Sequence, residues 1–581
     1  MRNPIKFLTT GLIFLMLASC GTVQTASEQK ESTQPEQTQE VKADPEKEVI
    51  KSLSSLYKKE ELKGWQHKAP LKDKIPGMSV DKAYARLLAD MPQGETVIVA
   101  VLDSGMDIDH EDLKDVIWTN EDEIPGNGID DDKNGYVDDV HGWNFLGSRD
   151  GKNAYEEQLE MARLIKKYRG QWQDKTEEDI PEEYLELFRD YKRAEKELAE
   201  KLKEIKQIAN KTEFLENMAK NYDNTLKKYL NTDELTEEKV KAIETDDKAV
   251  LEAKEKFLNG LSMYNEDFKN WIKRRKNYTE SQLKYNLNID FDGRAIVGDN
   301  PDDWNDRDYG NPNVRPVKEE EAHATHVAGI IAAVRNNGIG MNGIADNVKI
   351  MPIRAVPDGD EYDKDIALGI RYAVDNGAKI INCSFGKYYS PHKEWVWDAI
   401  KYAADHDVLI VNAAGNDAKD MDRFGEFISY PNDGIKPGEE IADNFITIGA
   451  YGPHFAADLP APFSNYGKTT VDVFSPGVRI YSTIPFNKYA FFNGTSMAAP
   501  DAAGVAALIR SRFPELSASE VKEILMKSGI TPAILVFVPS EDKEIPDVKP
   551  FKELSKSGKI VNAFNALVMA KKMAEKKKEN N

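Results

Sequence analysis

Cysteine is nearly absent: Cys20 and Cys383 are the only two in 581 residues. Two cysteines allow one bridge at most, so a disulfide framework is excluded as the source of stability. Long apolar runs are also missing. Beyond the first twenty residues nothing approaches the ~20 consecutive apolar residues of a membrane-spanning helix. Positive charge is in the minority, with 78 Lys and Arg against 100 Asp and Glu and a net charge of −22. Such a balance argues against a nucleic-acid partner, which needs clustered cations against phosphates. What remains is 40% hydrophobic and 31% charged, the composition of a water-soluble chain with core to bury. Its length suits more than one folding unit at roughly 100–200 residues per domain.

The first residues read as an address rather than as fold. Arg2 and Lys6 precede an apolar stretch from Phe7 to Leu17, and Leu17-Ala18-Ser19-Cys20 closes it with small residues. A charged start, a short hydrophobic core and a small-residue boundary make residues 1–19 a signal peptide. The ending at Cys20 resembles a bacterial lipobox, which implies lipidation of Cys20 and a membrane partner at the cell envelope, on the periplasmic or cell-surface side. With Cys20 modified, Cys383 has no partner, and stability must come from a large core or bound metal. Residues 20–49 are rich in Gln, Glu, Thr, Ser and Lys. Too few apolar groups are present to fold, so this stretch is read as a flexible tether.

From Thr96 the pattern changes. Val97 to Leu102 is a continuous apolar run ending in Asp103-Ser104-Gly105, and similar runs recur at 348–353, 378–383, 408–411 and 445–448. Helical patterns lie between them, as at 362–376 and 395–406. Strands alternating with helices predict an α/β fold with a mainly parallel sheet covered on both faces. Reactive groups in such folds gather at the carboxyl ends of the strands. The domain reading is a first part at 50–150, an all-helical insertion at 151–290, a second part at 291–570 and a charged tail at 571–581.

The insertion is dense in Glu and Lys. Tyr184, Phe188, Tyr191, Leu198, Leu202 and Ile205 fall at helical spacing, which predicts one apolar stripe and two or more antiparallel helices with a coiled-coil-like seam. It reads first as a solvated spacer packing on itself, and alternatively as a docking arm for a substrate or protein partner.

Three local patterns carry chemistry, in one order. Val101-Leu102-Asp103-Ser104-Gly105 comes first, with His110-Glu111-Asp112-Leu113 behind it. His323-Ala324-Thr325-His326-Val327-Ala328-Gly329-Ile330 follows, then Asn493-Gly494-Thr495-Ser496-Met497-Ala498-Ala499-Pro500. A serine hydroxyl becomes a useful nucleophile when a histidine takes its proton and a carboxylate orients that histidine. These residues closely resemble the subtilase family, over about Gly64–Gly142 and Asp299–Leu567. The resemblance implies a subtilisin-like doubly wound sheet and a serine endopeptidase working through an acyl-enzyme. It implies Ser496 as nucleophile, His323 as base and then acid, Asp103 as the orienting carboxylate, and His110 and His326 as structural neighbours. Val411-Asn412-Ala413-Ala414-Gly415-Asn416 resembles the oxyanion segment, making Asn416 a donor beside the Ser496 N–H. By the same resemblance Ser384-Phe385-Gly386 is the edge to which an extended polypeptide adds as a strand. Ala413, Ala414 and Gly415 would wall the pocket for the side chain before the cleaved bond.

No cofactor is required for such chemistry, but two segments are candidates for structural calcium. Asp130, Asp132, Asn134 and Asp138 surround Gly135 in EF-hand-like spacing, with His141 where the closing glutamate would stand. Asp112 and Asn337 resemble the strong calcium site of subtilisins. Two departures stand out. Ala324 replaces the glycine usual after the catalytic histidine, and little room precedes Asp103 for an inhibitory propeptide: either Ile50–Lys63 acts as a very short pro-segment or the enzyme folds without one. The rival reading is a catalytically weak or inactive subtilase-fold scaffold that binds partners through its helical arm.

Overall fold

The computed structural model describes residues 49–50, 59–259, 266–423, 428–434, 439–540 and 545–580. The signal segment, Cys20 and nearly all of the tether lie outside the described residues. Seven strands form the main sheet: β1 (Val97–Asp103), β2 (Trp143–Asn144), β3 (Val348–Arg354), β4 (Ile380–Cys383), β5 (Leu409–Ala413), β6 (Phe445–Tyr451) and β7 (Val473–Pro476). Their order is β2-β3-β1-β4-β5-β6-β7, and every neighbouring pair is parallel.

Alternation along β1 shows how both faces are covered. Val97, Val99 and Val101 enter one core, with helices α5 (His323–Ala332) and α8 (Thr495–Arg512). Ala100 and Leu102 enter another, with α6 (Asp363–Asp375) and α7 (Lys393–Asp405). Two sheet strands escape the apolar-run criterion. β2 has two residues, and β7 ends at Pro476, so neither presents a run long enough to read.

Between β2 and α5 the insertion folds as α1 (Glu160–Trp172), α2 (Leu185–Leu230), α3 (Lys248–Leu258) and α4 (Glu266–Ser281), with shorter turns between them. The stripe on α2 is buried at Phe188, Tyr191, Leu198 and Ile205, packed with Met161, Leu164 and Trp172 of α1. Tyr184 does not join it. A 3-10 turn at Glu182–Tyr184 after Pro181 precedes α2, so the helical phase begins one residue later and Tyr184 stays exposed. A second cluster of Leu226, Val240, Val250 and Phe257 closes the far end of the insertion on itself.

Candidate active site

Asp103 is the last residue of β1 and is buried, its carbonyl held by the Ala355 and Val356 N–H groups. His323 opens α5 and turns Nδ1 to within 2.8 Å and 3.0 Å of the two Asp103 carboxylate oxygens. Ser104 accepts a hydrogen bond from the Ala324 N–H at 3.3 Å. The Asp-Ser-Gly turn thereby satisfies one of the orphan donors at the start of the histidine helix. Burial opposes charge on the His323 ring, but the Asp103 charge and hydrogen bond outweigh it and raise the ring's pKa above its ordinary value. His326, one turn on, shows burial without a carboxylate. It is stacked on Phe492 at 4.3 Å, its Nε2 lies 3.1 Å from the Ala490 carbonyl, and burial drives its pKa down to about 3. His110 is likewise buried, with Nδ1 accepting from the Asp112 N–H at 3.1 Å.

Ser496 is the second residue of α8, where backbone N–H groups have no intrahelical partner. Its hydroxyl donates to the Ser384 carbonyl at 3.0 Å, and the Ser384 hydroxyl donates to the Ser496 carbonyl at 2.9 Å. The Ser496 hydroxyl is therefore engaged with Ser384 rather than with the His323 ring. Asn416 is fixed through its Oδ1, which accepts from the Thr495 N–H at 2.9 Å and the Thr495 hydroxyl at 3.1 Å. Its amide nitrogen is left to point elsewhere. Gly415 precedes it at φ +99°, and a Cβ there would stand 2.5 Å from the Asn465 amide nitrogen, so only glycine fits.

β4 and β5 are neighbours in the sheet; Ser384, Phe385 and Gly386 follow the end of the first, and Ala414 and Gly415 follow Ala413 at the end of the second. Lys387 pairs with Tyr430 through two backbone hydrogen bonds of 2.9 and 2.8 Å, so an antiparallel bridge follows Gly386 directly.

A buried ion pair unreadable from the motifs joins three of these segments. Glu321, two residues before His323, accepts from the Gly105 N–H at 2.7 Å, the Val317 N–H at 2.7 Å and Arg354 at 2.8 Å. Arg354 ends β3 and is fully buried. Only a long-range contact reveals it, so local spacing holds no signal.

The acidic loop is closed from upstream. Asp130, Asp132 and Glu123 bring one carboxylate oxygen each within 4.8 Å of one another. Both Glu123 carboxylate oxygens accept from backbone N–H groups of the loop, at Asp131, Asp132 and Asp138; His141 turns Nδ1 to the Trp118 carbonyl at 2.9 Å. Asn134 donates to Asp132 and Asp139, whereas the Asp138 carboxylate turns away to the Asn127 and Gly128 N–H groups. Asp112 and Asn337 do meet, through a direct 2.6 Å hydrogen bond from the Asn337 amide. The Asn337 carbonyl accepts from the Ile339 N–H, so both ends of that amide are engaged.

A doubly wound parallel sheet with an aspartate–histidine pair at its carboxyl edge and a serine in the first turn of a buried helix is a subtilisin-like arrangement. The sequence profile of the subtilase family matches residues 94–548, and the chain belongs to that family. It is 40% identical over 224 residues to the thermophilic serine proteinase of Bacillus sp. (strain AK1), covering 38% of this chain and 49% of that protein. Identity to the cell wall-associated protease of Bacillus subtilis (strain 168) is 36% over 212 residues, 36% of this chain and 21% of the relative. Subtilisin DY of Bacillus licheniformis is 38% identical over 212 residues, 36% of this chain and 70% of the relative. The chain thus spans about half or less of the length of the first two relatives.

Proposed function

We propose that this protein is a serine endopeptidase that cleaves extended polypeptides, with Asp103, His323 and Ser496 as its triad. The observation that carries the reading is the 2.8 Å contact between the buried Asp103 carboxylate and Nδ1 of His323. It fixes the tautomer in which Nε2 accepts a proton, and it stabilises the imidazolium that results. Ser496 attacks the peptide carbonyl and passes its proton to His323; His323 returns it to the leaving amine, and water then releases the acyl group by the same route. The developing oxyanion lies between the Ser496 N–H and the Asn416 amide, whose orientation Thr495 sets. In the free protein the Ser384 carbonyl holds the serine hydroxyl. A substrate N–H adding to that edge competes for the same carbonyl and frees the hydroxyl to turn to His323, in keeping with the loose geometry of unliganded sites.

The test is covalent labelling by a fluorophosphonate. Folded protein should react at Ser496, and Ser496→Ala should remove both the label and casein hydrolysis, a loss of up to about 10⁶ in turnover. An unlabelled parent beside a labelled subtilase control would favour the inactive-scaffold reading instead.

We further propose that lipidated Cys20 holds the enzyme at the bacterial envelope. Cys20→Ser should move it from membranes to the soluble fraction. Calcium is proposed at the acidic loop, where Glu123, Asp130 and Asp132 supply the oxygen donors such a hard cation prefers. The Asp112–Asn337 pair would first have to give up its direct hydrogen bond to share an ion. In a Ser496→Ala background calcium should raise the unfolding midpoint, since ligand at 100 times its dissociation constant adds roughly 2.7 kcal/mol. Glu123→Gln should weaken that rise; an equal rise in both proteins would remove the acidic loop from consideration.

A further inference from the structure

The helical insertion does not merely pack on itself. Just past Gly386, three consecutive residues are gripped by it. The buried Lys387 ammonium donates to Glu160 at 2.9 Å, at the start of α1. Arg193 of α2 donates to the Tyr388 carbonyl at 2.9 Å and lies over the Tyr389 ring at 4.3 Å. The Tyr389 hydroxyl donates to Glu197 at 2.7 Å. Arg193, Glu197 and Lys201 follow at four-residue steps and so share one face of α2.

Tyr388 and Asp417 complete the connection. Each lies two residues beyond its wall, Tyr388 past Gly386 and Asp417 past Gly415, and the Tyr388 hydroxyl donates directly to the Asp417 carboxylate. The bridge runs close to the pocket itself: a Cβ built on Gly415 would stand 3.6 Å from the Tyr388 hydroxyl. A tyrosine thus spans the gap between the two chains leaving β4 and β5, with its backbone anchored from behind by α2.

We propose that Tyr388 is a specificity-determining residue, tied to Asp417 across the cleft and held by α2, so that the position before the cleaved bond takes small side chains and refuses aromatic ones. This rests on the protease reading above. Bulk is refused because an aromatic side chain entering between Ser384–Gly386 and Ala413–Gly415 must displace the Tyr388 ring. Displacing it breaks the hydrogen bond to Asp417 and disturbs a segment fixed at three successive residues. The insertion thereby becomes part of the substrate site without touching the reacting atoms.

The experiment uses the full chain and peptide p-nitroanilides that differ only in Ala, Leu or Phe before the cleaved bond, with active enzyme counted by fluorophosphonate titration. The parent should prefer Ala to Phe in kcat/KM. Tyr388→Ala should raise the Phe-to-Ala ratio by roughly tenfold or more, within the range that a change in pocket volume commands. Asp417→Ala leaves the ring in place but frees it, and should shift the ratio in the same direction by less. The double variant should not exceed Tyr388→Ala alone, because both changes act on one bridge. Arg193→Ala should give a smaller shift of the same sign. A parent that prefers Phe, or a ratio unchanged in both Tyr388→Ala and Asp417→Ala, overturns the inference while labelling keeps the protease reading intact. An unlabelled parent overturns both.

Discussion

The insertion and the catalytic part treat charge in opposite ways. On the insertion, ion pairs one helical turn apart range from the partly exposed Lys227–Asp223 to the exposed Lys241–Glu237, around a seam made mainly of apolar and aromatic side chains. In the catalytic part the charges are inside. Arg354–Glu321 is fully buried, and Arg294 with Asp299, Asp365 and Lys364 forms a second buried network. Surface pairs contribute little to stability, whereas buried pairs cost desolvation and earn their place through geometry. The insertion is therefore held mainly by packing, with the nearly buried Arg163–Glu160 pair of α1 as an exception, and the site by fixed charge. The two styles meet at Lys387, where a buried ammonium of the cleft segment takes Glu160 of the insertion as a partner.

The comparison is broken most severely at Asp103. Asp103→Asn keeps the shape but removes the charge that selects the His323 tautomer, and turnover should fall by about 10⁴. Its pH dependence sharpens the point. The His323 pKa is raised, so in the parent the neutral, active imidazole appears only above the ordinary histidine value. Activity should therefore climb through a limb lying above pH 6.5, and in Asp103→Asn that limb should move to lower pH. The linked stability has the opposite sense. Protonated His323 paired with Asp103 stabilises the fold fully below the unfolded pKa, and that contribution is lost as pH rises through the folded one. A limb at the same pH in both proteins would separate His323 from the titration.

Next in size is the contrast between buried and exposed pairs. Glu321→Gln leaves the Arg354 guanidinium buried without its counter-charge and should destabilise by about 3–5 kcal/mol. Asp223→Asn on α2 removes half of a partly exposed pair and should change stability by less than about 1 kcal/mol. Urea unfolding of both variants in a Ser496→Ala background reads the difference. Equal losses would mean that the insertion also depends on fixed charge.

The sequence made the fold legible wherever structure is local. Apolar runs gave five of the sheet strands, because a strand buried on both faces is continuous in apolar residues. Helical spacing found the α2 stripe. The Asp103–His323 pairing, in contrast, was expected only through resemblance to a family, since 220 positions separate the two residues. Glu321, Glu123 and the Tyr388–Asp417 bridge escaped altogether, because an isolated Glu or Tyr has no period and its meaning depends on what the fold brings opposite it. Tyr184 misled for the same reason in reverse: spacing matched, but the turn after Pro181 had not yet become α2.

One further expected effect concerns an acidic group that neither style accounts for. Asp501 lies in α8, five residues after Ser496, fully buried, and neither of its carboxylate oxygens has a hydrogen-bond partner among the described residues. Burial raises its pKa well above the ordinary carboxylate value, so the folded protein keeps the proton where the unfolded chain has released it. Folding then takes up a proton, and the stability linked to this group falls as pH rises from about 4 toward the folded pKa. Asp501→Asn preserves the shape and cannot ionise. It should match the parent near pH 4 and become the more stable protein as pH rises to 8, the gap growing by up to about 1.4 kcal/mol per pH unit until the folded pKa is reached. Thermal unfolding of the two proteins across that range, both carrying Ser496→Ala, reads the growing gap. A gap that stays constant with pH, or a variant less stable than the parent at pH 8, would show that Asp501 is ionised and paired in the folded state, and the catalytic part would then contain no unpaired acid at this position.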